Sequence, residues 1–304
     1  MAEIALHYGN VTALQALASL QSVATAEIIS SLDGLQTIMR AASKGDAVAP
    51  LLFFQLRRHL RGRYRQTLRE LARSTIIKSA IRISGSGLRP ETIIQVPFYP
   101  GLDEFDLDAT LDQAINKLPF VTYDDIVGVE RKSRRKIGTI ILDTSGSMTG
   151  PKLLTSALAA AVAAYHLRHD QYALIAFNTA SQTIKTMNQT ATIDYIVDTI
   201  LDTEPAGFTN IADGLETAYS EYQRSRHRES WAVLITDGIA NRGGSPYPHA
   251  SRYHSLHVLQ TPGIHPQGSE TCKRIADLGG GHHIKVNDYT EVPYALMKLL
   301  SYTR

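Results

Sequence analysis

Apolar residues recur at helical spacing through the first part of the chain. Leu14, Leu17 and Leu20 make one such run, Ile28, Leu32, Leu35 and Met39 a second, and Leu52, Leu56, Leu60, Tyr64, Leu68 and Leu71 a third. Thr25 and Asp46 stand where N-caps of the second and third helices belong. The pattern predicts a small helical bundle over about residues 11–80. Between residues 84 and 135 the periodicity fades. Ser84-Gly85-Ser86-Gly87 reads as a turn or linker, Pro90, Pro97 and Pro100 punctuate short extended pieces, and a short helix is predicted at 111–117.

From Lys136 onward, strand-length apolar runs alternate with amphipathic ones. Strands are predicted at 137–142, 172–177, 183–187, 231–236, 256–259 and 283–286. Helices are predicted at 151–166, 193–201, from Asn210 through Tyr222, at 270–278 with Gly279 as C-cap, and from Val292-Pro293 to the end. Continuous rather than alternating apolar strands, interleaved with helices, predict an α/β fold: a doubly wound, mainly parallel, Rossmann-like sheet covered on both faces. Three segments are expected: a helical domain at 1–83, a connecting segment at 84–135 packed on the second domain, and the sheet domain at 136–304.

Composition narrows the class without naming a partner. Hydrophobic residues at 43% and charged residues at 20% exclude disordered and fibrous chains. The single cysteine, Cys272, cannot form an internal disulfide, which fits a reducing compartment. No apolar run approaches the roughly 20 residues of a membrane span, and Met1-Ala2-Glu3-Ile4 does not open a signal peptide. A cytoplasmic location is the expectation. The formal net charge of +2 hides an asymmetry: residues 1–89 carry a net +7 and the remainder a net −5. Arg57, Arg58, Arg61, Arg63, Arg65, Arg69, Arg73 and Lys78 stand against only Glu70 in the third helical run. Such a run either solvates a helix face or meets an anion, whether an acidic protein surface, the acidic stretch Asp103, Glu104, Asp106 and Asp108 of this chain, or nucleic acid.

The candidate chemistry lies where predicted strands end. Asp143-Thr144-Ser145-Gly146-Ser147-Met148 follows the first strand of the sheet domain, and Asp237-Gly238 follows the strand at 231–236. Gly207-Phe208-Thr209-Asn210 precedes a helix between them. In a doubly wound sheet, ligands bind at the carboxyl ends of strands near the switch in strand order. Asp143, Ser145, Ser147, Thr209 and Asp237 supply only oxygens, a hard donor set suited to Mg²⁺, with Mn²⁺ as the alternative, and unsuited to zinc.

Asp143-x-Ser145-x-Ser147, Thr209 within Gly-Phe-Thr-Asn and Asp237 within Ile-Thr-Asp-Gly resemble the complete metal-ion-dependent adhesion site of the von Willebrand factor type A (VWA) family. The resemblance covers about residues 136–304. It implies a doubly wound sheet with one antiparallel edge strand, for which 183–187 is the candidate. It further implies Ser145, Ser147 and Thr209 as direct ligands, and Asp143 and Asp237 as ligands through water. A carboxylate from a protein partner would complete the ion's shell. Phe98-Tyr99-Pro100-Gly101-Leu102-Asp103-Glu104 and the basic stretch 131–136 are similar to intracellular members, the magnesium-chelatase D-type subunits and the companions of MoxR-class AAA+ ATPases. That likeness implies an adaptor or partner of a AAA+ ATPase.

Other chemistries fit less well. A haloacid-dehalogenase-type phosphatase needs Asp where Ser145 stands. A nucleophile elbow needs glycine where Asp143 stands, and a Walker A loop fails at Leu153. No His, Lys or Glu is placed by motif as a general base beside the hydroxyls, so a metal-dependent hydrolase is the least favoured reading and no catalytic residue is expected. The alternative to an adaptor is an RNA-associated protein resembling Ro-type ribonucleoproteins, binding phosphates through Arg57, Arg58, Arg61, Arg65 and Arg69. His282 and His283, adjacent on a strand, point to opposite faces and make an unlikely shared metal site. Cys272 reads as packing. Arg242, His249, Arg252, Tyr253 and His254 form a region near Asp237 that suits either partner contacts or solvent.

Overall fold

The computed structural model describes residues 2–43, 48–84, 92–102, 104–117, 122–132, 137–224, 230–263 and 266–302. Asp46, Pro90, Asp103 and the residues 85–90 of the expected linker lie outside the described residues. The chain divides into two compact units, one combining residues 1–85 with 136–304 and the other spanning 86–135.

The first unit opens with six helices: α1 (Ala2–His7), α2 (Val11–Leu20), α3 (Ser22–Ile29), α4 (Leu32–Ser43), α5 (Val48–Leu56) and α6 (Gly62–Ser84). Helical spacing anticipated the class but not the breaks. The run from Leu52 to Leu71 is divided between α5 and α6, with Gly62 at φ 54° where the chain turns. The apolar pattern survives the break because both helices face one core, in which Leu52, Leu56, Leu60 and Leu68 are all buried. Thr25 is not an N-cap; it lies inside α3 and its hydroxyl donates to the Gln21 carbonyl at 2.8 Å. Leu20, Leu32 and Met39, expected to face inward, are exposed.

In the second unit, β1 (Thr92–Pro97) pairs antiparallel with β2 (Val127–Lys132). Between them α7 (Leu107–Ala114) starts four residues before the expected helix, because Asp106 caps it by accepting from Ala109 N at 3.0 Å. The acidic stretch is in part this helix's N-terminus, where negative charge is favoured.

The remaining elements follow the predicted alternation: β3 (Ile137–Asp143), α8 (Pro151–His166), β4 (Gln171–Phe177), β5 (Ser181–Lys185), α9 (Ile193–Asp202), α10 (Ile211–Gln223), β6 (Ser230–Thr236), α11 (Tyr247–Ala250), β7 (Leu256–Gln260), α12 (Pro266–Leu278), β8 (Gly280–Lys285) and α13 (Val292–Tyr302). They form a six-stranded sheet in the order β5-β4-β3-β6-β7-β8, parallel throughout except for the antiparallel edge strand β5. Cores lie on both faces. One packs Ile140, Leu142, Val233 and Ile235 against α8, α9 and α13; the other packs Ile141, Ile175 and Leu234 against α10 and α12. After α12 the left-handed position falls on Gly280 (φ 64°) rather than on Gly279. Gly138 on β3 sits opposite Trp231 on β6, and a methyl group there would lie 2.1 Å from the indole ring. That close approach admits only glycine.

Helices α5 and α6 pack on α8, and α6 also on α9. The arginine run takes part in this contact. Arg57 is buried and donates to the carbonyls of Leu201 (3.0 Å) and Thr203 (2.8 Å), the open C-terminus of α9. Arg69 makes two bonds to Asp202, at 2.8 and 2.9 Å, and pairs with Asp198 at 3.0 Å; Arg73 also reaches Asp198. Arg58 stands 3.9 Å from Glu204. Much of the asymmetric charge is thus met within the chain.

Candidate functional site

The strand order reverses at β3. The chain steps from β3 to β4 on one side and later returns to place β6 on the other. Asp143 ends β3 and Asp237 directly follows β6, so the two carboxylates flank the switch point at the carboxyl edge of the sheet. The continuous burial of β3 and β6 carries both side chains to this edge from the molecular interior.

Hydrogen bonds between the three loops hold them together. Gly146 N donates to the Gly207 carbonyl at 3.2 Å, and Ala206 N to the Thr144 carbonyl at 3.4 Å. Thr209 N donates to Asn241 Oδ1 at 2.7 Å, while the N–H groups of Asn241 and Arg242 both donate to the Thr209 carbonyl at 3.2 Å. The 205–210 loop is therefore stitched to the first loop on one side and to the Asp237 loop on the other. Gly238 turns the chain at φ 80°, with Gly268 so close that a methyl group at 238 would lie 2.2 Å from its carbonyl oxygen.

Asp143, Ser145, Thr209 and Asp237 are buried, and Ser147 is exposed. Asp143 Oδ1 accepts from Ser145 N at 2.9 Å, and Oδ2 accepts from Thr236 Oγ1 at 2.6 Å. The hydroxyls of Ser145 and Ser147 lie 3.3 Å apart. Asp237 Oδ1 accepts from Ile239 N at 3.2 Å, and Oδ2 receives Lys152 Nζ at 2.8 Å. Burial pushes the Asp143 carboxyl up to about 6; the bonds from Ser145 and Thr236 pull it down, and the neighbouring Asp237 adds to the rise. A buried carboxylate beside a second one is a place where added positive charge is favourable. The donor set is all oxygen, as Mg²⁺ and Mn²⁺ require. Among the described residues no three His, Cys, Asp or Glu side chains gather as metal ligands, so cation binding here has to draw on the hydroxyls.

Asp143 ends β3, and Ser145, Ser147, Thr209 and Asp237 lie in the three stitched loops. Sequence reasoning missed three supporting groups: Thr236, which donates to Asp143; Asn241, which orients the Thr209 backbone; and Lys152, the ion-pair partner of Asp237. The rim carries Phe208, 52% exposed, with the Arg242 guanidinium 5.5 Å from its ring centre. Elsewhere in the Asp237 region Tyr253 is buried with its hydroxyl on the Leu215 carbonyl, His249 and Arg252 meet Glu216, and His254 is exposed. His282 stacks on His257 while His283 bonds Gln260, so the two histidines do face apart. Cys272 is buried.

Residues 139–239 match the von Willebrand factor type A domain family. Over that stretch the chain is similar to a VWA domain. The matched stretch runs from within β3 past β6 and contains all five candidate residues. Similar solved structures include an aerotolerance-related membrane protein from Bacteroides fragilis (18% identity, 55% of this chain and 99% of that one, TM-score 0.46). Another is a von Willebrand factor type A protein from Catenulispora acidiphila (15% identity, 58% and 44%, TM-score 0.47). A third is the vWF domain of a type V pili tip protein from Porphyromonas gingivalis (10% identity, 55% and 94%, TM-score 0.47). No curated protein matches the sequence. Among the described residues no helix is long and apolar enough to cross a membrane.

Proposed function

We propose that the chain is a non-catalytic protein-interaction module whose VWA domain captures a partner's Glu or Asp through Mg²⁺. In this reading Ser145, Ser147 and Thr209 hold the ion directly, Asp143 and Asp237 hold it through water, and the partner's carboxylate completes the shell. The observation that supports it is the hydrogen-bonded convergence, at the switch point of the sheet, of the segments that carry Asp143, Ser145, Ser147, Thr209 and Asp237, with the Ser145 and Ser147 hydroxyls 3.3 Å apart and Ser147 open to solvent. Phe208 and Arg242 on the rim would read the partner's flanking residues. The likeness of the segment before the sheet domain to MoxR-associated and magnesium-chelatase D-type proteins points to a AAA+ ATPase as the partner class, in a cytoplasmic setting. The burial of Arg57 and the ion pairs of Arg58 and Arg69 give the basic segment an internal role, which weighs against the RNA-associated alternative.

The test is direct binding followed by capture. Mn²⁺ binding to the full chain, followed by electron paramagnetic resonance, is expected to be lost in Asp143→Ala and Thr209→Ala. Capture of a AAA+ ATPase from lysate is expected in Mg²⁺ and lost in EDTA and in both variants. Capture that persists in chelator and in both variants overturns the metal bridge.

A further inference from the structure

Lys152 occupies the second position of α8, directly after Pro151. A cation in the first turn of a helix opposes the helix dipole, so helix stability does not account for it. Its ammonium lies 2.8 Å from Asp237 Oδ2; the aspartate side chain is fully buried and the lysine a quarter exposed. Among the described residues Asp143, by contrast, receives neutral donors: the Ser145 amide and hydroxyl and the Thr236 hydroxyl. Among the described residues, only Asp237 of these two carboxylates pairs with a cationic side chain.

We infer that Lys152 is a built-in counter-charge that holds down the affinity of this site for a lone divalent ion. The inference rests on the metal reading above and deepens it. Two carboxylates and one ammonium leave a single negative charge among otherwise neutral hydroxyls. A divalent ion alone turns that into one uncompensated positive charge in a largely buried place, which is unfavourable. A carboxylate arriving with the ion restores neutrality. Without the lysine charge, two carboxylates would neutralise the ion unaided. Lys152 thereby ties occupancy by the ion to the arrival of an anionic partner.

The experiment is Mg²⁺ titration by calorimetry of the full chain without partner, in wild type, Lys152→Met, Lys152→Gln, Lys152→Arg and Asp143→Ala. Lys152→Gln keeps a hydrogen bond to Asp237, and equal thermal melts in EDTA show that it folds. Removing a unit charge this close is expected to tighten Mg²⁺ by about tenfold or more in the Met and Gln variants, with Lys152→Arg staying near wild type. Acetate, as the carboxylate probe, is expected to tighten Mg²⁺ binding to wild type and not to Lys152→Met. Equal Mg²⁺ affinity in wild type, Met and Gln variants, with binding lost in Asp143→Ala, overturns the counter-charge and leaves the metal site standing. Absence of Mg²⁺ binding in every chain overturns both.

Discussion

Thr236 serves two polar groups with one oxygen. Its hydroxyl donates to Asp143 Oδ2 and accepts from Gly238 N at 3.1 Å, in a fully buried position. Thr236→Val keeps the shape and strands both partners, so it is expected to cost about 1–3 kcal/mol in denaturant unfolding measured in EDTA. Thr236→Ser is expected to stay near wild type. At this scale the sequence was informative where chemistry is written in the residue type. Asp143, Ser145, Ser147, Thr209 and Asp237 stand out as oxygen donors at strand ends. Thr236, Asn241 and Lys152 could not be singled out the same way, because their roles depend on which side chain lies opposite. Lys152 and Asp237 are 85 residues apart, and only the sheet's strand order brings them together.

Among the elements, strands and helices from 137 onward were legible because each apolar run has a length and period of its own. The antiparallel edge strand was placed two residues late, since its first residues, Ser181 and Gln182, are polar. The N-terminal helices were harder. Just past the end of α5, Arg57 still donates its N–H to the Phe53 carbonyl while its guanidinium caps α9, a partner that helical spacing does not reveal. This contact yields a contrast between neighbouring arginines. Arg57→Ala leaves two carbonyls without their donor and is expected to destabilise the fold by about 1–3 kcal/mol. Arg61→Ala and Arg65→Ala, at exposed positions, are expected to stay within about 0.5 kcal/mol by the same chemical denaturation.

For the molecule as a whole, stability is coupled to pH at the far edge of the sheet. His257 on β7 is buried; its Nδ1 accepts from His282 N at 3.0 Å, and its Nε2 lies 3.0 Å from Ser255 Oγ. Burial, with His282 adding to it, lowers its pKa to about 4 from an ordinary value of 6.5. The unfolded chain therefore binds the proton more readily between those values. Stability from this group is complete above about pH 6.5 and is lost as pH falls toward 4, with about 3 kcal/mol as the upper scale. Urea midpoints across that window are expected to fall less steeply in His257→Gln than in wild type.

Helix α8 belongs to both halves of the first unit. Its residues from Leu153 to Ala164 are all buried, five of the last six being small alanines that let neighbouring backbones come close. One flank lies on the sheet and another under α5 and α6, while its first turn delivers Lys152 to the oxygen cluster. A rod wedged along its whole length in close-packed surroundings has nowhere to slide. Any give that the rim needs when a ligand arrives has to come from the threads on either side of it, residues 144–150 and 205–210, and the rod itself serves as the anvil against which they close.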